Sequence, residues 1–154
     1  MKRYRGKRNK RCFIWAGAAI LWMLFIWSNS LEPAVQSSET SAWWVELLDP
    51  ILHWIPLDYE AKHVLVRKLA HMTEFAVLTI LWSGAFYQPE RGMGGPVAAA
   101  LVGSLLAACA DEFIQLFVPS RSGSVIDVLI DMAGALLAAA ILLLVSHFRE
   151  KQRS

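Results

Sequence analysis

Short clusters of charged residues divide the sequence into long apolar runs, and this division constrains the fold more than any other feature. Crossing the hydrocarbon core of a membrane takes about 20 residues of helix, and four runs approach or exceed that length: residues 12–30, 69–87, 96–118 and 125–148. Of the 154 residues, 56% are hydrophobic and only 18% are charged, whereas an average soluble domain has about 25% charged residues. The pattern predicts an all-α membrane protein with four transmembrane helices in a bundle.

The distribution of Lys and Arg among the connections predicts the orientation of these helices. Seven basic residues lie within residues 1–11, one lies in the 88–95 connection and three lie in the C-terminal tail, whereas the connections on the other side hold four. Basic residues concentrate on the cytoplasmic side of a membrane, so both termini are expected in the cytoplasm. The chain is thereby divided into a basic cytoplasmic tail (1–11), a four-helix transmembrane domain (12–148) and a second cytoplasmic tail (149–154).

The connection between the first two spans carries a helical pattern of its own. Tryptophan and aliphatic residues recur at helical spacing from Trp43 to Ile55, polar residues suited to helix capping precede them at 37–41, Pro50 interrupts the pattern and Pro56 ends it. The stripe is too short to span a membrane, and indole rings favour the headgroup region. It predicts an amphipathic helix in the membrane interface, and a lid packed over the bundle is a compatible alternative.

Three of the four predicted spans carry ionisable residues, which are costly in a membrane, at about 2.5–3.5 kcal/mol each near its centre. At about 100° and 1.5 Å per residue, helix geometry places them on one face of each span and near the same, extracytoplasmic end. The full set of polar residues at this end includes Arg67 and Lys68 just before the second span and Arg121 in the last connection. It comprises Arg67, Lys68, His71, Glu74, Asp111, Glu112, Gln115, Arg121, Asp127 and Asp131. The sequence therefore predicts one polar chamber built by three helices, with these ten as candidate binding residues.

The chamber allows three interpretations. Carboxylates beside an imidazole can act as acid–base groups, and the candidate catalytic residues are Glu74, Asp111, Glu112, Asp131 and His71. In this enzyme interpretation, Arg121 serves as an anion clamp. The same groups can instead bind a ligand, or hold the helices in register as a buried ion network. No known metal-ligand spacing occurs, so neither a metal nor a cofactor is expected. The net charge of +2 is too small and too local to indicate nucleic acid.

Two blocks of these residues resemble the VanZ-like membrane protein family. The first is Arg67-Lys68-x-x-His71-x-x-Glu74-Phe75, and the second runs from Asp111-Glu112-x-x-Gln115 through Pro119-x-Arg121-x-Gly123 to Asp127-x-x-x-Asp131-x-x-Gly134. The segment from Trp27 to Ser41 is also similar to the part of the family that follows the first helix. The resemblance extends over about residues 12–145, and Phe75 stands where many relatives carry Tyr.

The resemblance implies a multi-pass protein of the bacterial cytoplasmic (inner) membrane with a role in the cell envelope. The founding member of the family accompanies a glycopeptide-resistance cluster and is linked to teicoplanin resistance, so antibiotic resistance is one implied role. Expected partners are membrane lipid and an envelope precursor or a lipophilic glycopeptide. Two alternatives stay open. One is a membrane-embedded enzyme that modifies a lipid-linked envelope substrate by carboxylate acid–base or metal-assisted chemistry, and the other is a structural partner of another membrane protein or of a second copy of the chain.

Overall fold

The computed structural model describes residues 2–88 and 92–152, and these residues form five helices. The helices are α1 (Lys2–Ser30), α2 (Ala34–Leu52), α3 (Tyr59–Phe86), α4 (Gly94–Gln115) and α5 (Val125–Lys151). The described ranges contain no strand, only an isolated bridge between Gln88 and Gly92. The predicted all-α class is confirmed. Arg91 and Arg153, which entered the count of basic residues, lie outside the described residues.

Three helices in the described part of the chain are long and apolar enough to cross a membrane: α1 over Lys10–Ser30, α4 over Gly94–Gln115 and α5 over Val125–Lys151. Helix α3 is not one of them, because charged residues occupy much of its N-terminal half. The length and composition of the helices therefore support three of the four predicted spans, and they do not confirm a four-helix transmembrane bundle.

Large apolar side chains of these three helices point away from the protein interior. Phe13 on α1 is 76% exposed, Leu106 on α4 is 66% exposed and Leu144 on α5 is 57% exposed. Soluble monomers rarely expose apolar surface of this extent. The outward faces of α1, α4 and α5 are therefore suited to contact with lipid.

Helix α3 is central, because it packs against all four other helices. Its side chains Phe75 and Leu78 are fully buried. Its closest neighbour is α5 at Gly134, where an added Cβ would overlap the backbone of Met72. Ala138, one turn further along α5, is also buried. The Gly134 and Ala138 pair therefore permits the close helix approach that small residues allow in membrane proteins.

Tryptophan side chains attach α1 to this core. The indole Nε1 of Trp22 donates a 2.9 Å hydrogen bond to the Glu74 carbonyl oxygen on α3. The indole Nε1 of Trp27 donates a 3.3 Å hydrogen bond to the Ala107 carbonyl oxygen on α4. Each bond joins an indole to a backbone group, so α1 is held against two helices at once.

The helix ends differ most from the sequence-based boundaries at the starts of α1 and α3. Helix α1 begins at Lys2 rather than at 12, so the predicted tail 1–11 is helical from residue 2 onward. Helix α3 begins at Tyr59, ten residues before the predicted start at 69, because the Asp58 side chain accepts a 2.8 Å hydrogen bond from the Ala61 N–H and caps the helix. Helix α4 ends at Gln115 rather than at 118, and turns follow it. The charged residues 59–68 thus extend the helix that carries the second predicted span.

Helix α2 corresponds to the helix predicted between the first two spans. It starts at Ala34, so residues 37–41 lie inside the helix and do not cap it. Pro50 does not end the helix, because proline so near the C-terminus removes only one backbone hydrogen bond. The helix ends at Leu52, before Pro56. Its placement in the membrane interface stays a prediction.

Candidate functional site

The ends of four helices meet at one end of the protein. Lys68 Nζ on α3 lies 2.7 Å from Asp127 Oδ1 on α5, and Arg121 Nη2, in the loop before α5, donates a 3.4 Å hydrogen bond to the Asn29 carbonyl oxygen on α1. The Ser124 N–H, just before α5, donates a 2.7 Å hydrogen bond to Glu112 Oε2 on α4. The C-terminal ends of α1 and α4 thus face the N-terminal halves of α3 and α5.

A cavity of about 380 Å³ opens at this end, between α3, α4, α5 and the 116–124 loop. Eight of the ten sequence-predicted residues line it: Arg67, Lys68, His71, Glu112, Gln115, Arg121, Asp127 and Asp131. Glu74 and Asp111 lie next to these lining residues, since Glu74 Oε2 is 3.9 Å from His71 Nδ1 and Asp111 shares a cluster with His71 and Asp131. The structure therefore brings all ten residues together, and their binding role stays a prediction.

Two of the carboxylates have strong partners that explain their positions. Glu112 accepts the Ser124 N–H at the start of α5, where the positive end of a helix favours a negative charge. Gly123 lies between them, and a Cβ there would come within 2.6 Å of the Glu112 carbonyl oxygen. Asp127 pairs with Lys68 at about one-third side-chain exposure. These contacts hold the loop and α5 against α4 and α3.

The end of α1 also belongs to the site, which the sequence analysis did not predict. Asn29 Nδ2 donates a 3.1 Å hydrogen bond to Glu74 Oε1, and Ser30 Oγ accepts a 3.5 Å hydrogen bond from Gln115 Nε2. Gln115 Nε2 also donates to Asp111 Oδ2 and to Glu112 Oε1, each at 3.2 Å. The available signal was the polar triplet at 28–30, which ends an otherwise apolar span.

His71, Asp111 and Asp131 form a cluster contributed by three helices. One ligand atom from each lies within 4.8 Å of the others, and His71 Nδ1 is 3.7 Å from Asp131 Oδ1. Asp111 is 0% exposed and Asp131 is 1% exposed. Within the described residues, neither carboxylate oxygen of Asp131 has a hydrogen-bond partner, and Asp111 Oδ1 has none. Buried carboxylates without partners are costly, so this cluster is where a proton, a cation or a ligand group would be stabilised.

Arg121 brings a half-buried positive charge to the cavity from the connecting loop. Burial, and then the neighbouring Arg67, lower the pKa of its guanidinium from the ordinary value. Arg67 and Lys68 line the same cavity from α3. A partly desolvated cation beside other cations is stabilised by negative charge, and the carboxylates of Glu112, Asp127 and Asp131 line the same cavity.

The fold and the site define an α-helical membrane protein with a polar cavity at one end of its helices. The chain belongs to the VanZ/LLP1 family, whose model matches residues 15–146. No curated protein and no solved structure matches the chain. The family resemblance carried by the two motif blocks is confirmed.

Proposed function

We propose that this protein is a multi-pass protein of the bacterial cytoplasmic membrane that binds the phosphate-bearing headgroup of an envelope lipid. The headgroup belongs to a membrane phospholipid or to a lipid-linked envelope precursor, which share the phosphate. The observation that carries the proposal is the presence of three cationic side chains, those of Arg67, Lys68 and Arg121, around one cavity. The envelope role follows from this ligand.

Helix α3 serves as the fourth span, so that α1, α3, α4 and α5 form a transmembrane bundle. Its central packing and its buried residues Phe75 and Leu78 support this arrangement. The excess of basic residues in the termini and in the 88–95 connection puts the opposite end of the bundle, with the cavity, on the extracytoplasmic side. The charged N-terminal half of α3 then lies at the outer membrane–water boundary.

The cavity lining suits an amphiphile with an anionic headgroup. Arginine presents several donors in a planar fork that matches phosphate oxygens, and lysine adds a compact charge. The hydroxyl-bearing residues Ser120, Ser122 and Ser124 line the same cavity. Ile126, which is 66% exposed, supplies an apolar wall on α5. A phosphate can thus bind among the cations while the attached chain stays in lipid.

Native mass spectrometry of the full chain, released from detergent, tests this proposal. The probes are phosphatidylglycerol, a polyprenyl phosphate, uncharged diacylglycerol and a teicoplanin-type glycopeptide. We expect both phosphate lipids to bind in preference to diacylglycerol, and Arg121→Gln to weaken them about tenfold, or about 1.4 kcal/mol. Arg149→Gln, an exposed arginine at the far end of α5, is the matched control.

The phosphate lipid that binds more tightly identifies the source of the headgroup: phosphatidylglycerol indicates a membrane phospholipid, and the polyprenyl phosphate indicates a lipid-linked precursor. Equal binding of diacylglycerol, or unchanged binding in Arg121→Gln, would contradict the proposal. Tighter binding of the glycopeptide than of either phosphate lipid would replace the lipid by the antibiotic as the ligand. That outcome would make glycopeptide resistance, rather than lipid handling, the function of the cavity.

Catalysis on the same lipid-linked substrate is a second candidate function. Within the described residues, Asp111 Oδ1 and both oxygens of Asp131 have no hydrogen-bond partner, which favours it. His71 lies close enough to Asp131 to act as its proton-transfer partner. The Asp111→Glu change keeps the charge and moves the carboxylate by one methylene group. In an enzyme, this change should abolish turnover, seen as a shift in the lipid and precursor pools of cells. A binding site should instead lose affinity gradually.

A further inference from the structure

We infer that His71, Asp111 and Asp131 form a binding site for a divalent transition-metal cation of the Mn²⁺ or Zn²⁺ class. The three residues lie on α3, α4 and α5, at the inner side of the cavity. The inference stands apart from the proposed lipid binding, because it depends on a different set of side chains.

The geometry permits three ligands on one ion. Their ligand atoms lie within 4.8 Å of one another. Metal–nitrogen and metal–oxygen bonds of about 2.0–2.3 Å put neighbouring ligand atoms about 3–4 Å apart and opposite ones about 4–4.6 Å apart. Side-chain movement of up to about 1 Å therefore brings all three atoms into range. Because each ligand comes from a different helix, no local sequence spacing reveals the site.

Independent support comes from the hydrogen bonds of the surrounding acidic residues. Glu112 accepts the Ser124 N–H, Glu74 accepts from Asn29, and Asp127 pairs with Lys68. By contrast, Asp131 is 1% exposed and Asp111 is 0% exposed. Among the residues that the structure describes, no hydrogen-bond partner reaches either oxygen of Asp131 or Oδ1 of Asp111. Buried polar groups in proteins are almost always paired. The missing partners therefore point to a cation shared by these two carboxylates.

The chemistry of the donor set indicates which cation binds. Mg²⁺ and Ca²⁺ prefer oxygen ligands alone, whereas an imidazole beside carboxylates suits Mn²⁺, Zn²⁺ and their neighbours. Both His71 and Asp131 also line the cavity. An ion bound between them would present its remaining coordination positions to the cavity.

Electron paramagnetic resonance of the full chain in phosphatidylcholine nanodiscs, stripped with EDTA and titrated with Mn²⁺, tests the inference. We expect one Mn²⁺ per chain, spin-echo modulation from a directly bound imidazole nitrogen, and displacement by Zn²⁺. His71→Gln should remove the nitrogen modulation, and both His71→Gln and Asp131→Asn should weaken binding at least tenfold. Asp49→Asn is the matched control, because it removes an exposed aspartate of α2 that does not line the cavity.

The absence of stoichiometric binding would overturn the inference. Equal losses in Asp49→Asn and Asp131→Asn would do so as well, since they would indicate unspecific attraction to negative charge. If Asp131→Asn does not fold, His71→Gln decides the matter: unchanged affinity or retained nitrogen modulation in that variant contradicts the site. The native mass spectrometry of lipid binding is repeated in EDTA, which removes divalent metal ions. Lipid binding and metal binding are thus measured separately, so either proposal can fail while the other holds.

Discussion

The backbone N–H of Ser124 donates a 2.7 Å hydrogen bond to Glu112 Oε2, so a side chain near the end of α4 caps the start of α5. The Ser124 side chain itself makes no capping hydrogen bond. The first N–H groups of a helix need such an acceptor. Glu112 therefore has a structural role. Its neighbour Asp111 belongs to the cluster with His71 and Asp131, and its Oδ1 has no hydrogen-bond partner within the described residues.

Removing the Glu112 carboxylate should destabilise the protein through the start of α5. We expect Glu112→Ala to lower the free energy of unfolding by about 1–3 kcal/mol, because a buried backbone donor loses a charged acceptor. Glu112→Gln keeps an acceptor oxygen and should lose less. Thermal unfolding in nanodiscs measures both, with exposed Glu46→Gln on α2 as the control. Equal stability of Glu112→Ala and wild type would contradict the capping role.

Gly134 should not tolerate even one added methyl group. In Gly134→Ala the new Cβ meets the backbone of Met72, which cannot move aside as a side chain can. Overpacking of this kind costs about 1–3 kcal/mol or more, so protein abundance and thermal stability should both fall. Gly17→Ala, where nothing lies within 4 Å of the new Cβ, is the matched control. A Gly134→Ala variant as stable as Gly17→Ala would show that α3 and α5 are not in close contact.

The Lys68–Asp127 ion pair should contribute little to stability, and this contribution should require opposite charges at the two positions. Each side chain is about one-third exposed, and pairs of this kind contribute about 0.2–1 kcal/mol. Lys68→Asp alone places two carboxylates together and should lower the melting temperature. The double variant Lys68→Asp with Asp127→Lys should recover most of that loss. Failure of the double variant to recover would mean that Lys68 and Asp127 do not interact specifically.

Cysteine labelling tests the orientation and the fourth span. In a chain whose native Cys12 and Cys109 are replaced by serine, Cys at the exposed positions Glu60 and Ser122 should react with a membrane-impermeant maleimide in intact cells. Cys at Gly94, which is exposed at the opposite end, should react only after lysis. Labelling at Gly94 in intact cells would reverse the orientation, and protection at Glu60 would contradict a spanning α3.

Asp131→Asn separates a functional site from a purely structural ion network. Asparagine keeps the size of aspartate and removes its charge. Asp131 has no hydrogen-bond partner within the described residues, so removing its charge should leave the abundance of the protein at the wild-type level. The cell-envelope phenotype that depends on the wild-type protein should nevertheless disappear. Abundance that falls together with the phenotype, as breaking a buried pair at about 3–5 kcal/mol would cause, would favour the network.

Much of the site could be predicted from sequence because helix periodicity fixes which side chains share a face. Arg67, His71 and Glu74 recur at helical spacing, as do Asp111 with Gln115 and Asp127 with Asp131. Gly134 and Ala138 follow Asp131 at helical spacing, on the same stripe of α5. The family resemblance rested on these residues, and the family match confirmed it.

Contacts between helices could not be predicted in the same way. Periodicity does not show that Glu112 caps α5, that Asn29 reaches Glu74 across 45 positions, or that His71 Nδ1 lies 3.7 Å from Asp131 Oδ1. Helix limits were also missed where a local cap decides them. Asp58 starts α3 before the charged residues 59–68, which hydropathy alone assigned to a connection.

The long sequence separation of the contacts at the cavity has a consequence for how the chain is made. Lys68 is synthesised 59 positions before Asp127, and the Asn29 carbonyl is synthesised 92 positions before the Arg121 guanidinium. The nascent chain must therefore carry polar groups of its first helices without these partners until α5 leaves the ribosome. Biogenesis must keep these helices near the insertion machinery, or otherwise hydrated, until the last helix arrives.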